Sequence, residues 1–179
     1  GMSKLRSVDL PNVTTVGDNA FYGVGLGELI LPSCTKVGGT CIAYCNSLVK
    51  VALPYCTTLG SYAFRDNKLL SEVSLPACMI LTQSAFYNCD SLAKISLPRV
   101  TAINASAFSG SAIFETLILG GSSVVQLVNT NAFSGTKIAG GTGYIYVPAA
   151  LVDSYKVATN WANFAEQIRA IEDYPEITA

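Results

Sequence analysis

Six cysteines stand in a chain of 179 residues that contains no histidine. Thiols at Cys34, Cys41, Cys45, Cys56, Cys78 and Cys89 raise three chemistries: a disulfide framework, a thiolate metal site or a nucleophile. Without imidazole there is no serine or cysteine triad that relies on it, and no H-E-x-x-H zinc site. Cys41 and Cys45 form a C-x-x-x-C, but the sequence holds no second pair to complete a zinc site. Two-carboxylate hydrolysis stays open in form, through Asp9, Glu28 and Glu72 on one outer face, yet nothing in the sequence sets any of them in a cleft. The glycines of GVGLG, GGSS and AGGTG fall at junctions of a repeated phrase, and SGTK lacks the Walker spacing. No catalytic, cofactor-binding or metal residue is assigned, and the chain is expected not to be an enzyme.

The thiols follow a different rule, which emerges from the elements that carry them. With Leu26 as position one, LGELILPSCTKVGGTCIAYCNS is followed by LVKVALPYCTTLGSYAFRDNKL, LSEVSLPACMILTQSAFYNCDS and LAKISLPRVTAINASAFSGSAI, each 22 residues long. A shorter copy precedes them at LRSVDLPNVTTVGDNAFYGVG, and a degenerate one follows at FETLILGGSSVVQLVNTNAFSGT. A fixed period of this size predicts a solenoid, whose units bury their apolar faces by stacking. Cys34, Cys56 and Cys78 share one repeat position, with Val13 and Val100 filling it elsewhere; Cys45 and Cys89 share another. Small buried hydrophobes explain both rows. Stacked neighbours about 4.8 Å apart have parallel Cβ vectors that make the disulfide torsion hard. Free structural thiols are the expectation.

Within LVKVALP, Leu48, Val51 and Leu53 point inward while Lys50 and Ala52 point outward, as a short strand of period two requires. Pro11, Pro32, Pro54, Pro76, Pro98 and Pro148 end these strands, because proline lacks the N–H that would continue the ladder. Val16-Gly17, Val37-Gly38 and Leu59-Gly60 then read as a turn that glycine permits. Phe21, Phe64, Phe86, Phe108 and Phe133 recur at one position, with Ile42 as the exception, and predict an internal spine.

The pattern L-x-x-V-x-L-P followed by V-G-x-x-A-F-x-x-C resembles the BspA-like class of bacterial leucine-rich repeats, over about residues 5 to 148. The resemblance implies a right-handed leucine-rich-repeat solenoid: a parallel β-sheet on one face, turns and short irregular or 3-10 segments on the other. It also implies a family often found on cell surfaces as adhesins or binding modules. Thr82 and Asn104 depart from the turn glycine, and Cys41-Ile42 from A-F. The segment Y-V-P-x-x-x-V-x-x-Y-K followed by W-x-x-F is similar to the terminal cap of this family.

The organisation expected is therefore residues 1–148 as repeats, 149–172 as a helical C-terminal cap of the same domain, and 173–179 as a frayed tail or linker. Leu151, Val152 and Tyr155 fit one helical face; Trp161, Phe164, Ala165 and Ile168 fit a second after Thr159-Asn160. Trp161 is expected to anchor the cap. The first repeat begins almost at once at Leu5 with no cap ahead of it, which predicts a covering segment or self-association through that N-terminal edge. Gly1 before Met2 reads as an expression remnant, with no signal peptide following it.

Half the residues are hydrophobic and 13% charged, with a formal charge of -1. That excludes a disordered chain and argues against nucleic acid; no run is long enough to insert in a membrane. On the outer strand face, Ser7, Glu28, Lys50, Glu72, Lys94 and Thr116 form a row whose alternating charges are expected to neutralise one another. The next row, Asp9, Ile30, Ala52, Ser74, Ser96, Ile118 and Tyr146, is small or apolar and is the candidate partner-binding surface. The function expected is a non-catalytic binding or adhesion module for a protein or glycan, needing no cofactor, on a cell surface or secreted as the resemblance implies. The alternatives are a spacer or assembly element of a larger surface or phage-like protein, and a carboxylate-based hydrolase.

Overall fold

The structure, a computed structural model, describes residues 5–178. The repeated phrase folds into six coils that begin at Leu5, Leu26, Leu48, Leu70, Leu92 and Phe114. Each coil from the second onward opens with a three-residue strand: Glu28–Ile30, Lys50–Ala52, Glu72–Ser74, Lys94–Ser96 and Thr116–Ile118. Their central residues point into the core, with Leu29, Val51, Ile95 and Leu117 all buried. The strands run parallel and in register, Glu28 beside Lys50 and Lys50 beside Glu72.

A second ladder lies at the position read above as a turn. Thr15–Val16, Lys36–Val37, Thr58–Leu59, Ile80–Leu81, Ala102–Ile103 and Gln126–Leu127 form a continuous six-stranded parallel sheet. One residue of each pair, such as Val37 or Leu81, is buried and the other faces out, so two residues suffice for a strand. Gly38 and Gly60 are needed for close approach, not for a turn conformation, while Gly17 in the first coil has open space around it. Gly17, Gly38 and Gly60 are absent from the left-handed region, and a methyl group on Gly60 would run into the backbone of Gly38 and Gly39. Where Thr82 and Asn104 replace glycine, their side chains donate to Gly60 O at 2.9 Å and Leu81 O at 3.2 Å. Those coils are stitched together by the substitution rather than weakened.

The A-F segment builds a third ladder. Phe21, Ile42, Phe64, Phe86 and Phe108 each donate their N–H to the next coil, to Cys41, Ala63, Ala85, Ala107 and Ala132, at 2.8–2.9 Å. Positive φ recurs on both sides of the aromatic position, at Asn19, Thr40, Tyr62, Ser84 and Ser106 before it and at Gly23, Tyr44, Asp66, Asn88 and Gly110 after it. With these residues left-handed, every second N–H, such as those of Asn19, Phe21 and Gly23, points along the solenoid axis to the next coil, while Ala20 and Tyr22 N–H bond within their own coil. The rings stack as the sequence predicts: Phe64 to Phe86 at 5.0 Å, Phe86 to Phe108 at 5.8 Å and Phe108 to Phe133 at 5.9 Å, their planes all nearly parallel.

The last coil is closed by a cap that is less helical than its sequence suggests. Only Val152–Val157 is α-helix; Trp161–Gln167 is 3-10. Ile168, placed on a helical face by its spacing, instead opens a strand, Ile168–Ala170, that pairs with Tyr144–Val147. The reason is the bare ladder edge that the strand covers. The second ladder is closed by side chains: Tyr155 Oη accepts Val125 N–H at 3.0 Å, Trp161 Nε1 donates to Val125 O at 2.6 Å, and Asn160 Nδ2 donates to Leu127 O at 2.7 Å. Trp161 is buried and reaches the end of the phenylalanine stack. At the opposite end Leu5, Val8, Leu10 and Val13 are only half-buried.

Candidate functional site

The outer row is not one continuous strip. Ile30 is 46% exposed, Ser74 and Ser96 are exposed, and Ala52 is half-buried, while Asp9 is exposed on a segment that joins no strand. Ile118 and Tyr146, expected to be open, are buried at 3% and 7%. The cover comes from the end of the expected cap and from the described part of residues 173–179, expected to be a frayed tail or linker. Residues 171–178 form two 3-10 turns that lie back on the strand face. The Tyr174 ring packs edge-on against Tyr146 at 5.4 Å, Glu172 Oε2 accepts Ala149 N–H at 2.9 Å, and Ile177 reaches the same depression as Ile118.

That depression, about 470 Å³, sits where the strand face breaks. Glu28–Ile30, Lys50–Ala52 and Glu72–Ser74 form one sheet; Lys94–Ser96 starts another. Elsewhere the residue after each strand donates to the next coil: Leu31 to Ala52, Leu53 to Ser74, Leu97 to Ile118 and Leu119 to Tyr146. Among the described residues no such bond runs from Leu75 to Ser96, nor from Ala93 or Lys94 back to Ser71. The other two ladders stay closed at this junction, Ile80 pairing with Ala102 and Phe86 donating to Ala107. Coils four and five therefore part on the strand face alone, and Val73 is only half-buried there while its neighbours Val51 and Ile95 are fully covered.

The break also changes the charge row. Lys50 and Glu72 pair at 3.3 Å, as adjacent strands allow. Lys94 lies across the gap and makes no ion pair among the described residues, so the row does not neutralise itself. The depression thus joins an unpaired ammonium, the Ser71, Ser74 and Ser96 hydroxyls and an aliphatic floor of Val73 and Ile95. Of the carboxylates considered for acid–base work, Glu28 and Glu72 stand on either side of Lys50 in the ladder and Glu72 is bound to it.

The cysteine positions carry a function that spacing did not reveal. Cys45 Sγ donates to Phe21 O at 2.9 Å and Cys89 Sγ to Phe64 O at 3.2 Å. In alternate coils the same position holds Asn67 and Ser111, both fully buried, which donate to Ile42 O at 2.7 Å and Phe86 O at 2.8 Å. Asn67 and Ser111 also accept the N–H of Cys45 and Cys89. The signal was present in the sequence: Cys, Asn, Cys, Ser and Thr136 share a short side chain with a donor, not hydrophobicity. All six thiols are free and buried. Burial pushes Cys41 and Cys78 up to about 11, and Cys56 and Cys89 up to about 12, so nucleophilic chemistry is disfavoured.

On the far side of the coil, Arg65 lies 5.2–5.8 Å from the rings of Tyr44, Tyr62 and Tyr87 and binds Asp66 at 2.7 Å. Tyr44 and Tyr62 are bulky residues in left-handed positions, held there by the ladder.

The sequence matches the family described as BspA type leucine rich repeat region, in 6 copies, over residues 1–115 and 79–140. A comparison with curated proteins gives no match. Among solved structures, a leucine-rich repeat protein from Bacteroides ovatus ATCC 8483 superposes with a TM-score of 0.61 at 22% identity, over 93% of this chain and 48% of that one. A leucine rich cell surface protein from Faecalibacterium prausnitzii A2-165 is similar with a TM-score of 0.48 at 16% identity, over 90% of this chain and 57% of that one. The chain spans about half the length of these proteins, and at 22% identity the likeness to the Bacteroides ovatus structure concerns the fold. With the repeats matched over most of its length and stacked as parallel coils, the chain belongs to the BspA type leucine-rich repeat family.

Proposed function

We propose that this chain is a non-catalytic recognition module that holds a protein or glycan on its strand face, in the depression between coils four and five. The observation that carries the reading is the break itself. A continuous sheet presents paired backbone and self-neutralised charge, whereas the parted strands present hydroxyls, an unpaired lysine and an aliphatic floor in one concave place. Ser74 and Ser96 of the expected row belong to this site, Ile118 contributes to its wall, and Ile30, Ala52 and Asp9 lie outside it. A location on the cell surface or outside the cell suits a module of this family and is part of the proposal. So is the absence of catalysis, since the one carboxylate in the depression is tied to Lys50.

The experiment is a binding screen of the protein against glycan and extracellular-matrix protein arrays, repeated with Ser74→Trp, which fills the depression from an exposed position. Ligands should be lost with the variant. Binding that survives Ser74→Trp unchanged moves the site off this face.

A second reading has its own observation. The half-buried Leu5, Val8, Leu10 and Val13 leave the first coil as an apolar edge suited to a further coil or to a second copy. A concentration-independent monomer mass in light scattering would argue against self-association there.

A further inference from the structure

Resting on the reading that the strand face binds a ligand, we propose that the depression between coils four and five takes a carboxylate, presented by an extended acidic segment of a partner protein. Three observations point to it independently.

Electrostatics comes first. Lys50, Glu72 and Lys94 line the depression, and the Lys50–Glu72 pair cancels, leaving Lys94 as the net charge. An ammonium on a partly apolar wall, beside the Ser74 and Ser96 hydroxyls, matches a carboxylate through charge-assisted hydrogen bonds.

Backbone chemistry is the second observation. Leu75 N–H lacks the Ser96 carbonyl that its counterparts in other coils find, and Ala93 and Lys94 N–H lack Ser71 O. These groups lie at the two ends of the parted strands. A polypeptide offers both donors and acceptors at regular spacing and satisfies such ends as a sheet neighbour would.

The third is the occupant already present on the adjoining part of the face. The chain's own residues 171–178, IEDYPEIT, seat Tyr174 on Tyr146 and bring Ile177 to the rim of the depression. That segment contains three acidic residues, Glu172, Asp173 and Glu176, around its apolar anchors. The face therefore accepts a peptide intramolecularly, through the Tyr174 and Ile177 anchors with Glu172 held by Ala149 N–H, and the open depression continues the same surface.

The test is selection of a displayed random octapeptide library on the full chain, followed by anisotropy titration of the enriched peptides. Sequences bearing Asp or Glu beside an aliphatic or aromatic residue should be enriched on the parent and should fail to bind the Ser74→Trp variant. Lys94→Gln should weaken their binding about tenfold, with Lys94→Glu weaker still, and added salt should weaken the parent complex. Lys94 is exposed, so both variants should keep the parent's urea midpoint. Peptides blocked by Ser74→Trp but neither acidic nor sensitive to Lys94 would overturn the carboxylate proposal and leave the strand-face reading intact. Oligogalacturonate binding that depends on Lys94, with no acidic peptide enriched, would overturn the protein partner. Peptides indifferent to both variants would overturn both readings.

Discussion

Asn67 offers the sharpest test of how these coils are held together. Its side chain is fully buried and makes three bonds: Oδ1 accepts Cys45 N–H at 2.8 Å, while Nδ2 donates to Ile42 O at 2.7 Å and to Phe64 O at 2.9 Å. Asn67→Ala removes all of them. Phe64 O keeps the Cys89 thiol, but Cys45 N–H and Ile42 O lose the partner shown for each, and water does not reach them. At about 1–3 kcal/mol for each buried backbone group left unsatisfied, the cost is about 2–6 kcal/mol. Asn67→Ser should cost much less, about 1 kcal/mol, because Ser111 performs both tasks at the equivalent position, accepting Cys89 N–H and donating to Phe86 O. Urea titration followed by circular dichroism reads the difference. With a slope of about 2 kcal/mol per molar urea, alanine should lower the midpoint by roughly 1–3 M and serine by about 0.5 M. Alanine and serine variants of equal stability, or an alanine cost below about 1 kcal/mol, would refute the hydrogen-bonding account of this position.

Phe86→Ala, between two stacked rings in the core, should destabilise by about 3–5 kcal/mol in the same titration; a cost below about 1 kcal/mol would contradict the spine. Ellman's reagent at neutral pH should find no fast-reacting thiol in the folded protein and all six once it is unfolded, since every cysteine is free and buried; a rapid native reaction counts against this. Asp66 should contribute a pH-dependent part of stability. Burial acts to raise its pKa but is outweighed by hydrogen bonds from Asn88, Arg65 and Tyr44 and by the charge of Arg65, so the net shift is downward. A carboxyl lowered in the folded state stabilises above its ordinary value near 4 and loses that contribution as pH falls through the folded value. The stability gap between parent and Asp66→Asn should therefore shrink on acidification below about pH 4; a gap that widens there would falsify the sign.

Much of the fold was legible because repetition reports on packing many times over. Leu48, Val51 and Leu53, the prolines and the Phe64–Phe108 column each recur at a fixed offset, and a residue that must face the same neighbours in every coil must recur. The second ladder was harder to read, since strands as short as Lys36–Val37 carry no alternation by which to be recognised. The role of the Cys45 and Cys89 column is hidden in the cysteines themselves, which suit packing as well as donation, and shows only through Asn67 and Ser111 at the same position in the coils between. Ile168 fitted a helical face by spacing, but its strand conformation follows from the open edge at Tyr144–Val147, which is not local to it.

The candidate site divides in the same way. The sequence by itself determined which residues lie on the outer strand face, because side-chain direction in a strand follows from position and the period brings Lys50, Glu72 and Lys94 into one row. Only the tertiary structure decided which of them are available. Whether coils four and five close or part depends on how all three ladders of a coil are satisfied together, and whether Ile118 and Tyr146 meet solvent depends on where residues 171–178 come to rest. Both are long-range outcomes of packing, and the repeat, which describes each coil against an average neighbour, is blind to the one junction that differs.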